Sequence, residues 1–476
     1  METEARPRCG WGPSAPTARR LAGAVARREI AAEELAAEAG RRAEASSDMN
    51  AVAVPMFDEA LEAAGRLDAH AGSGPLQGVP VTVKETLWVH GTPCCAGVER
   101  LAEARSRSDG AIAAALRRAG AVIAAKGNVA QLLWYAEADN PVYGRTENPC
   151  VPGRSAGGSS GGDAALVAAG VVPLAVGTDI GGSVRIPAAW CGCYGFAPTP
   201  GRLTTRGSRD DQLFAGTALP NRPGIMARDP GDLRLALAVL DAGAPGGAVP
   251  EVPDEPVPQR VRVGVVTRNG VLDPSAAVRR TVLEAADRLA GSGAEVEEIE
   301  LPDAAEALAL FDAVFAVDGG RRLRRLLGDG PTHPHVRRAL AAMTGGALDA
   351  AGVGRLRTRI AALRRRFWRM LDRARLDVLV GPAHALAAVP HGMALDVVEG
   401  QSYASIYSLL GMPAGVAPVS QVGPGEGRHP AGDSARPPTV RRAEAGSRGL
   451  PVAVQIAARP WQDDLVLTLL ERVSRH

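Results

Sequence analysis

Residues 153–187 read GRSAGGSSGGDAALVAAGVVPLAVGTDIGGSVRIP, from Gly153 to Pro187. Two serines, Ser159 and Ser183, stand 24 positions apart, each preceded by a Gly-Gly pair. Glycine admits backbone conformations that a Cβ forbids and lets a ligand approach the main chain. Between the serines lie a helix-like run over 163–169 and a strand-like run over 171–176. Two glycine-caged serines framing one helix and one strand read as a nucleophile and its helper carried on an α/β layer. A glycine-rich turn that binds phosphate, or merely turns, is the competing reading.

Outward from this stretch the alternation continues. Strand-like runs are predicted at 79–84, 121–125, 261–266, 376–380 and 451–456. Helix-like runs are predicted at 18–45, 109–119, 232–241, 274–290 and 354–373. This pattern predicts an α/β fold with a sheet buried by helices on its faces, and no internal repeat is visible. Residues 1–16, with Pro7, Pro13 and Pro16, are expected to be disordered. The remainder, 17–476, reads as one domain, because strand-like segments resume after both the Gly/Pro-rich stretch 242–258 and a polar, arginine-rich insertion at 423–447.

Lysine usage gives the second clue. Of 54 Lys plus Arg residues only Lys84 and Lys126 are lysine. Arginine stays protonated, whereas a desolvated lysine can become a neutral base. Lys84 ends the apolar run GVPVTVKE, so it is the candidate base, with chance survival in an arginine-biased chain as the plain alternative. The formal charge of +2 gives no preference for nucleic acid or another polyanion. Six cysteines, Cys9, Cys94, Cys95, Cys150, Cys191 and Cys193, lack CxxC or zinc spacing and read as inert thiols. The first twenty residues have no apolar core and no uncharged apolar run reaches about 18 residues, so a soluble cytoplasmic protein is expected. In 354–373 the residues Leu356, Ile360, Leu363, Phe367 and Leu371 share one face, which predicts packing on the core rather than peripheral contact with a membrane.

Ser183 follows Thr178-Asp179-Ile180-Gly181-Gly182, a turn whose main-chain N–H groups can converge as an oxyanion hole. A serine nucleophile needs a base. No histidine lies between His90 and His333, but a neutral Lys84 could act through Ser159, whose hydroxyl both donates and accepts. Residues 157–161 also match G-x-S-x-G, but the preceding NPCVPGRSA is no strand, as a nucleophile elbow requires; its histidine would be His384 or His391. A phosphate-binding P-loop is excluded, since no Gly-Lys-Ser/Thr is present there. His333 and His335 flank Pro334 without a third ligand, a weak metal signal.

These segments resemble the amidase signature family. GVPVTVKE around Lys84, AGGSSGG around Ser159 and GTDIGGSVRIP around Ser183 are similar to its lysine and serine motifs; PGIMARDPGDL and GLPVAVQ resemble later blocks. The likeness runs from about Leu21 to Arg472. It implies one large mixed sheet covered by helices, Ser183 as acylated nucleophile, Ser159 as proton relay after a cis peptide bond from Gly158, and Lys84 as general base and acid. It implies an oxyanion hole from Ile180, Gly181, Gly182 and Ser183, and substrate contacts at Leu133, Trp134, Gly158, Thr178 and Asp179. No metal or organic cofactor is implied.

NVAQLLWYAEADNPVYGRTENP, WCGCYGF, Asp318-Gly-Gly and GLPVAVQIAARPWQDDL are similar to fatty acid amide hydrolases, with Leu133 and Trp134 then lining an acyl pocket rather than a helix core. The chain departs from amidase patterns at Glu85, where aspartate is common, and at Ala197, where lysine is common. The expected reaction is hydrolysis of a carboxamide with an apolar acyl or aryl group; the oligomeric state stays open, with a homodimer as a form common in the family. The alternatives are a subunit of a glutamine-dependent transamidation complex, or acyl transfer to an amine instead of to water.

Overall fold

In the computed structural model, which describes residues 16–70, 74–214, 217, 219–242, 260–343, 345–427 and 436–474, the apolar run ending on Lys84 is a strand, Pro80–Lys84, buried along its whole length. In chain order the strands are β1 (Val52–Pro55), β2 (Pro80–Lys84), β3 (Val122–Gly127), β4 (Asp139–Asn140), β5 (Gly144–Arg145), β6 (Leu174–Asp179), β7 (Tyr194–Ala197), β8 (Arg222–Ala227), β9 (Arg262–Val265), β10 (Glu295–Glu298), β11 (Val378–Pro382), β12 (Ala414–Gln421) and β13 (Pro451–Ala458). All but β4 and β5 form one sheet of 11 strands, ordered β1-β3-β2-β6-β8-β7-β12-β13-β11-β9-β10. The β3-β2-β6 and β11-β9-β10 groups pair parallel, and the middle pairs antiparallel.

Helices cover both faces, which is why β2, β3, β6, β8, β11 and β13 are buried at every residue. The outermost strand β10 reads Glu-Val-Glu-Glu and is largely exposed; its charges oppose edge-to-edge association. The expected α/β class and mixed sheet are therefore found, and the sequence likewise anticipated β2, β3, β6, β9, β11 and β13 to within a few residues.

Five strands of this sheet escaped the periodicity reading: β1, β7, β8, β10 and β12. Three contain proline, which reads as a strand breaker: Pro55 ends β1, and the other two lie inside β12 and β8. Pro418 in β12 lies at a register shift and beyond the stretch that β7 pairs. Pro223 in β8 lies outside the Ile225–Ala227 segment that β7 pairs, so its missing N–H costs no ladder bond on that side.

The helix expected over 18–45 is two helices, Ala18–Ala26 and Ala32–Ala45. Arg28 adopts φ +57° between them. The second helix is started by Asp68, whose carboxylate accepts from the N–H of Ala32 (2.9 Å) and Glu33 (3.0 Å), a cap supplied from another part of the chain. Helix Ala350–Ala374 buries Leu356, Ile360, Leu363, Phe367 and Leu371, so that apolar face is occupied by the core. Part of the insertion expected at 423–447 is a packed helix, Pro438–Glu444, with Val440, Ala443 and Glu444 buried. Residues 1–15 and 243–259 lie outside the described residues, as do 428–435 of that insertion. Among the described residues no helix is long and apolar enough to cross a membrane.

One buried ion pair ties the central elements together. Arg185, at the start of helix Arg185–Cys191, and Asp179, at the end of β6, are both sealed from solvent. The Arg185 guanidinium donates to both carboxylate oxygens of Asp179 (2.9 and 3.1 Å), to Gln455 Oε1 on β13 (2.7 Å), and to Ser408 Oγ (2.8 Å) and Ala404 O (2.9 Å) of helix Ser402–Leu410. Burial alone would raise the Asp179 pKa, but the arginine outweighs it and holds the carboxyl well below the usual range. Replacing Arg185 by Met strands that charge in the interior. A loss of about 3–5 kcal/mol is expected, read as a lower urea midpoint; unchanged stability would show that the pair is not structural.

Candidate active site

β2 and β6 run parallel with Val83 opposite Val176, so the ends carrying Lys84 and Thr178 emerge at one edge. Lys84 is 1% exposed, and its amine makes three contacts: Ser159 Oγ at 2.8 Å, Thr178 Oγ1 at 2.7 Å and Thr178 O at 3.4 Å. Thr178 has one hydroxyl proton, and it is directed to Asp210 Oδ2 at 2.5 Å. The threonine oxygen therefore accepts from Lys84. Asp210 Oδ2 is held in turn by Asn221 Nδ2 at 2.7 Å.

These contacts fix what a neutral Lys84 would do. A neutral amine has two N–H donors and one lone pair. Both donors have acceptors on Thr178, which leaves the lone pair for the Ser159 O–H. When protonated, the third N–H meets the same oxygen. Both states are satisfied, and one proton moves along one line. Burial lowers the Lys84 pKa from its ordinary 10.5, although Asp210, Asp163, Asp179 and Glu85 pull the other way.

Ser159 precedes helix Gly161–Ala168, and the Gly158–Ser159 peptide bond is cis. Gly158 admits no side chain: a Cβ would lie 2.5 Å from the Glu137 nitrogen. The neighbouring Ser160 N–H donates to Ser183 O at 3.1 Å, which brings the two serine loops together. Ser183 itself is half-exposed, and no hydrogen bond to its hydroxyl is made among the described residues. Rotation of that free hydroxyl toward Ser159 would close the line from Lys84.

Asp179 shapes the Ser183 loop by accepting from the N–H of Gly182 (2.9 Å) and Val184 (3.1 Å). Gly182 takes φ +123°, a conformation that requires glycine. Its N–H is thereby engaged, so the four oxyanion donors expected reduce to Ile180, Gly181 and Ser183. These residues border a cavity of about 340 Å³.

Leu133, Trp134 and Gly158 line that cavity too, whereas Thr178 and Asp179 do not. The latter two are buried behind it, Thr178 on the lysine and Asp179 on the loop, so their expected contact with substrate is corrected. Leu133 and Trp134 lie in a short turn, not a helix core: Leu132 and Leu133 adopt φ +56° and +61°, which aims the chain at the cavity.

Sequence reasoning missed Asp210, at the start of the short helix Asp210–Leu213, and Asn221, just before β8; neither has a recognisable spacing to Lys84. It also missed the aromatic wall of Phe214, Phe311 and Phe315, whose rings cluster with Trp134; ring centres from Phe315 lie at 4.8–6.0 Å. Glu85 accepts from the N–H of Cys95 (2.6 Å) and Ala96 (2.9 Å), anchoring a loop.

The histidines considered for other chemistry are elsewhere engaged. His384 packs edge-on against Trp190, and burial pushes its pKa down to about 4. His391 and His335 both contact Glu137, at 2.7 and 3.3 Å; burial would raise that carboxyl, but the two imidazoles outweigh it and hold it at about 2. Among the described residues no group of His, Cys, Asp and Glu could hold a metal ion. Cys94, Cys95, Cys191 and Cys193 are buried thiols, whereas Cys150 is disulfide-bonded, against the expectation of a thiol.

The family model described as Amidase matches residues 34–467. Fatty-acid amide hydrolase 1 of Sus scrofa is 33% identical over 459 residues, covering 85% of this chain and 76% of that protein. A glutamyl-tRNA(Gln) amidotransferase subunit of Deinococcus radiodurans is 35% identical over 325 residues, covering 66% of this chain and 65% of that protein. A solved structure of fatty acid amide hydrolase superposes with a TM-score of 0.84 at 24% identity, covering 96% of this chain and 84% of that one, a likeness of fold.

The geometry around Lys84 sets a pH dependence. If its neutral form is the base, kcat/KM rises with pH along a single-proton limb and levels off below the ordinary lysine value, because burial favours the uncharged amine. Lys84→Arg, which cannot give up its proton, should lose about 10²–10⁴-fold and the limb with it. A pH–rate profile in which Lys84→Arg keeps the wild-type rate would remove the lysine from the chemistry.

Proposed function

This chain belongs to the amidase family and is an amide hydrolase, and from that premise we propose that it cleaves its amide through an acyl-enzyme on Ser183. The observation that carries the proposal is the hydrogen-bond accounting at Lys84, which leaves one lone pair and directs it at Ser159.

Neutral Lys84 takes the Ser159 proton while Ser159 takes that of Ser183, and Ser183 Oγ attacks the carbonyl carbon. The N–H groups of Ile180, Gly181 and Ser183 stabilise the oxyanion; each such donor is worth about 10²–10³ in rate in well-studied enzymes. Collapse expels the amine, which receives the proton back from Lys84 through Ser159. Water then repeats the cycle and releases the carboxylate. Every proton moves between groups of this chain and the substrate.

The substrate is a carboxamide with an apolar or aryl group. The lining of Leu133, Trp134, Phe214, Phe311, Phe315 and Met343 supports this reading, as does the likeness to a fatty-acid amide hydrolase. An apolar wall of this kind desolvates a small polar amide such as glutamine without compensating it. This disfavours the transamidation reading, and the amidotransferase subunit that the chain resembles is matched over less of both sequences.

A serine-reactive fluorophosphonate should leave a single adduct on Ser183, found by peptide mapping and absent from Ser183→Ala. That variant should lose turnover of amides and esters alike by more than about 10⁴-fold. An adduct on Ser159 instead, or retained turnover, would overturn the assignment of the nucleophile.

A further inference from the structure

The cavity beside Ser183 is lined by two charged residues that the amide chemistry does not use, Asp312 and Arg338. Asp312 lies on helix Ala304–Phe315, next to Phe311 and one turn before Phe315, and all three line the cavity. Phe311 packs on the nucleophile loop so closely that a Cβ on Gly181 would lie 2.4 Å from its ring. Asp312 is solvent-exposed at the rim of the cavity, and among the described residues its carboxylate accepts no hydrogen bond and pairs with no cation. Arg338 also lines the cavity, but its guanidinium is taken by Asp396.

Three features around Asp312 favour positive charge. Glu399 lies near enough to raise its pKa. The helix ends on Phe315, and the capping residue Ala316 also lines the cavity, so the negative end of the helix dipole is directed there. The rings of Trp134, Phe214, Phe311 and Phe315 supply faces of the kind that attract a cation. Asp312 stands as an unpaired negative charge beside the aromatic rings: partial burial, aided by Glu399, pushes its pKa up to about 6, which still leaves it largely ionised at neutral pH.

We propose that Asp312 is a specificity residue, and that the preferred substrates are apolar or aryl carboxamides that carry an ammonium group remote from the scissile bond. The ammonium is held at the rim by the carboxylate and the aromatic rings, while the rest of the substrate fills the apolar wall. The proposal deepens the reading of Ser183 and its cavity as the amidase site and rests on it.

The test uses paired anilides over a series of spacer lengths: ω-trimethylammonio acyl anilides and their ω-tert-butyl isosteres, which differ only in charge. The wild-type enzyme should hydrolyse the best ammonium anilide with kcat/KM about tenfold or more above its isostere. Asp312→Asn should remove that advantage and leave the isostere within about twofold, with Asp312→Glu restoring the preference as proof that the fold is intact. Calorimetric binding to Ser183→Ala should show the same order of affinities without turnover. Equal rates and affinities for cation and isostere, unchanged by Asp312→Asn, overturn the proposal while leaving the amidase reading in place. Anilide turnover by Ser183→Ala overturns the nucleophile assignment instead, and the binding comparison then still decides the role of Asp312.

Discussion

An amine sealed from water has to be either paired or neutral, and the architecture around Lys84 answers that requirement. Its charged form loses hydration on burial, so each N–H needs an acceptor that the fold supplies. Two come from one residue, Thr178, because β2 and β6 run parallel and bring both strand ends to the same edge. The polarity of the Thr178 hydroxyl is set one step further out by Asp210, and Asp210 is oriented by Asn221. Removing any member of that chain would free the lysine to turn its lone pair elsewhere. The site is thus a problem in hydrogen-bond counting before it is a problem in catalysis.

The second constraint acts on the nucleophile loop. A hydroxyl that must reach both a substrate and a relay cannot sit on a mobile turn. Asp179 fixes the turn by accepting from Gly182 and Val184, and Arg185 fixes Asp179. The same guanidinium reaches the helix Ser402–Leu410 and β13. A buried ion pair is costly unless all its donors are satisfied; here three different segments, β6, β13 and helix Ser402–Leu410, supply the acceptors, so the loop inherits the rigidity of the sheet. The use of the Gly182 N–H by Asp179 means that loop order is obtained at the expense of one oxyanion donor.

How much of this was legible in the sequence depends on whether the signal was local. The two Gly-Gly-Ser turns, the lone lysine after an apolar run and the alternation of strand and helix are patterns within a few residues, and the sequence reading placed them correctly. β8 and β12 were hidden because Pro223 and Pro418 look like breakers; only the sheet pairing reveals that both lie outside the segments that β7 pairs. β10 was hidden because a glutamate-rich edge strand carries almost no apolar signal. Asp210, Asn221 and the Asp68 cap act across long stretches of chain, and nothing in their local sequence announces the residue they serve.

The chemistry and the cavity come from different parts of the chain. Lys84, Ser159, Thr178 and Ser183 sit on strand ends and glycine turns at the edge of the sheet, fixed by polar contacts with few alternatives. The cavity wall is drawn largely from elements later in the sequence, helix Ala304–Phe315, helix Pro334–Ala342 and the loop through Leu395 and Val398. Exchange of one apolar side chain for another in such a wall costs little in stability when volume is kept, whereas a lost partner at Lys84 leaves a buried polar group unsatisfied. Substrate preference can therefore drift while the proton relay stays put. That asymmetry explains how a polar machinery of the amidase type can stand beside a wall that combines aromatic rings with a carboxylate at Asp312.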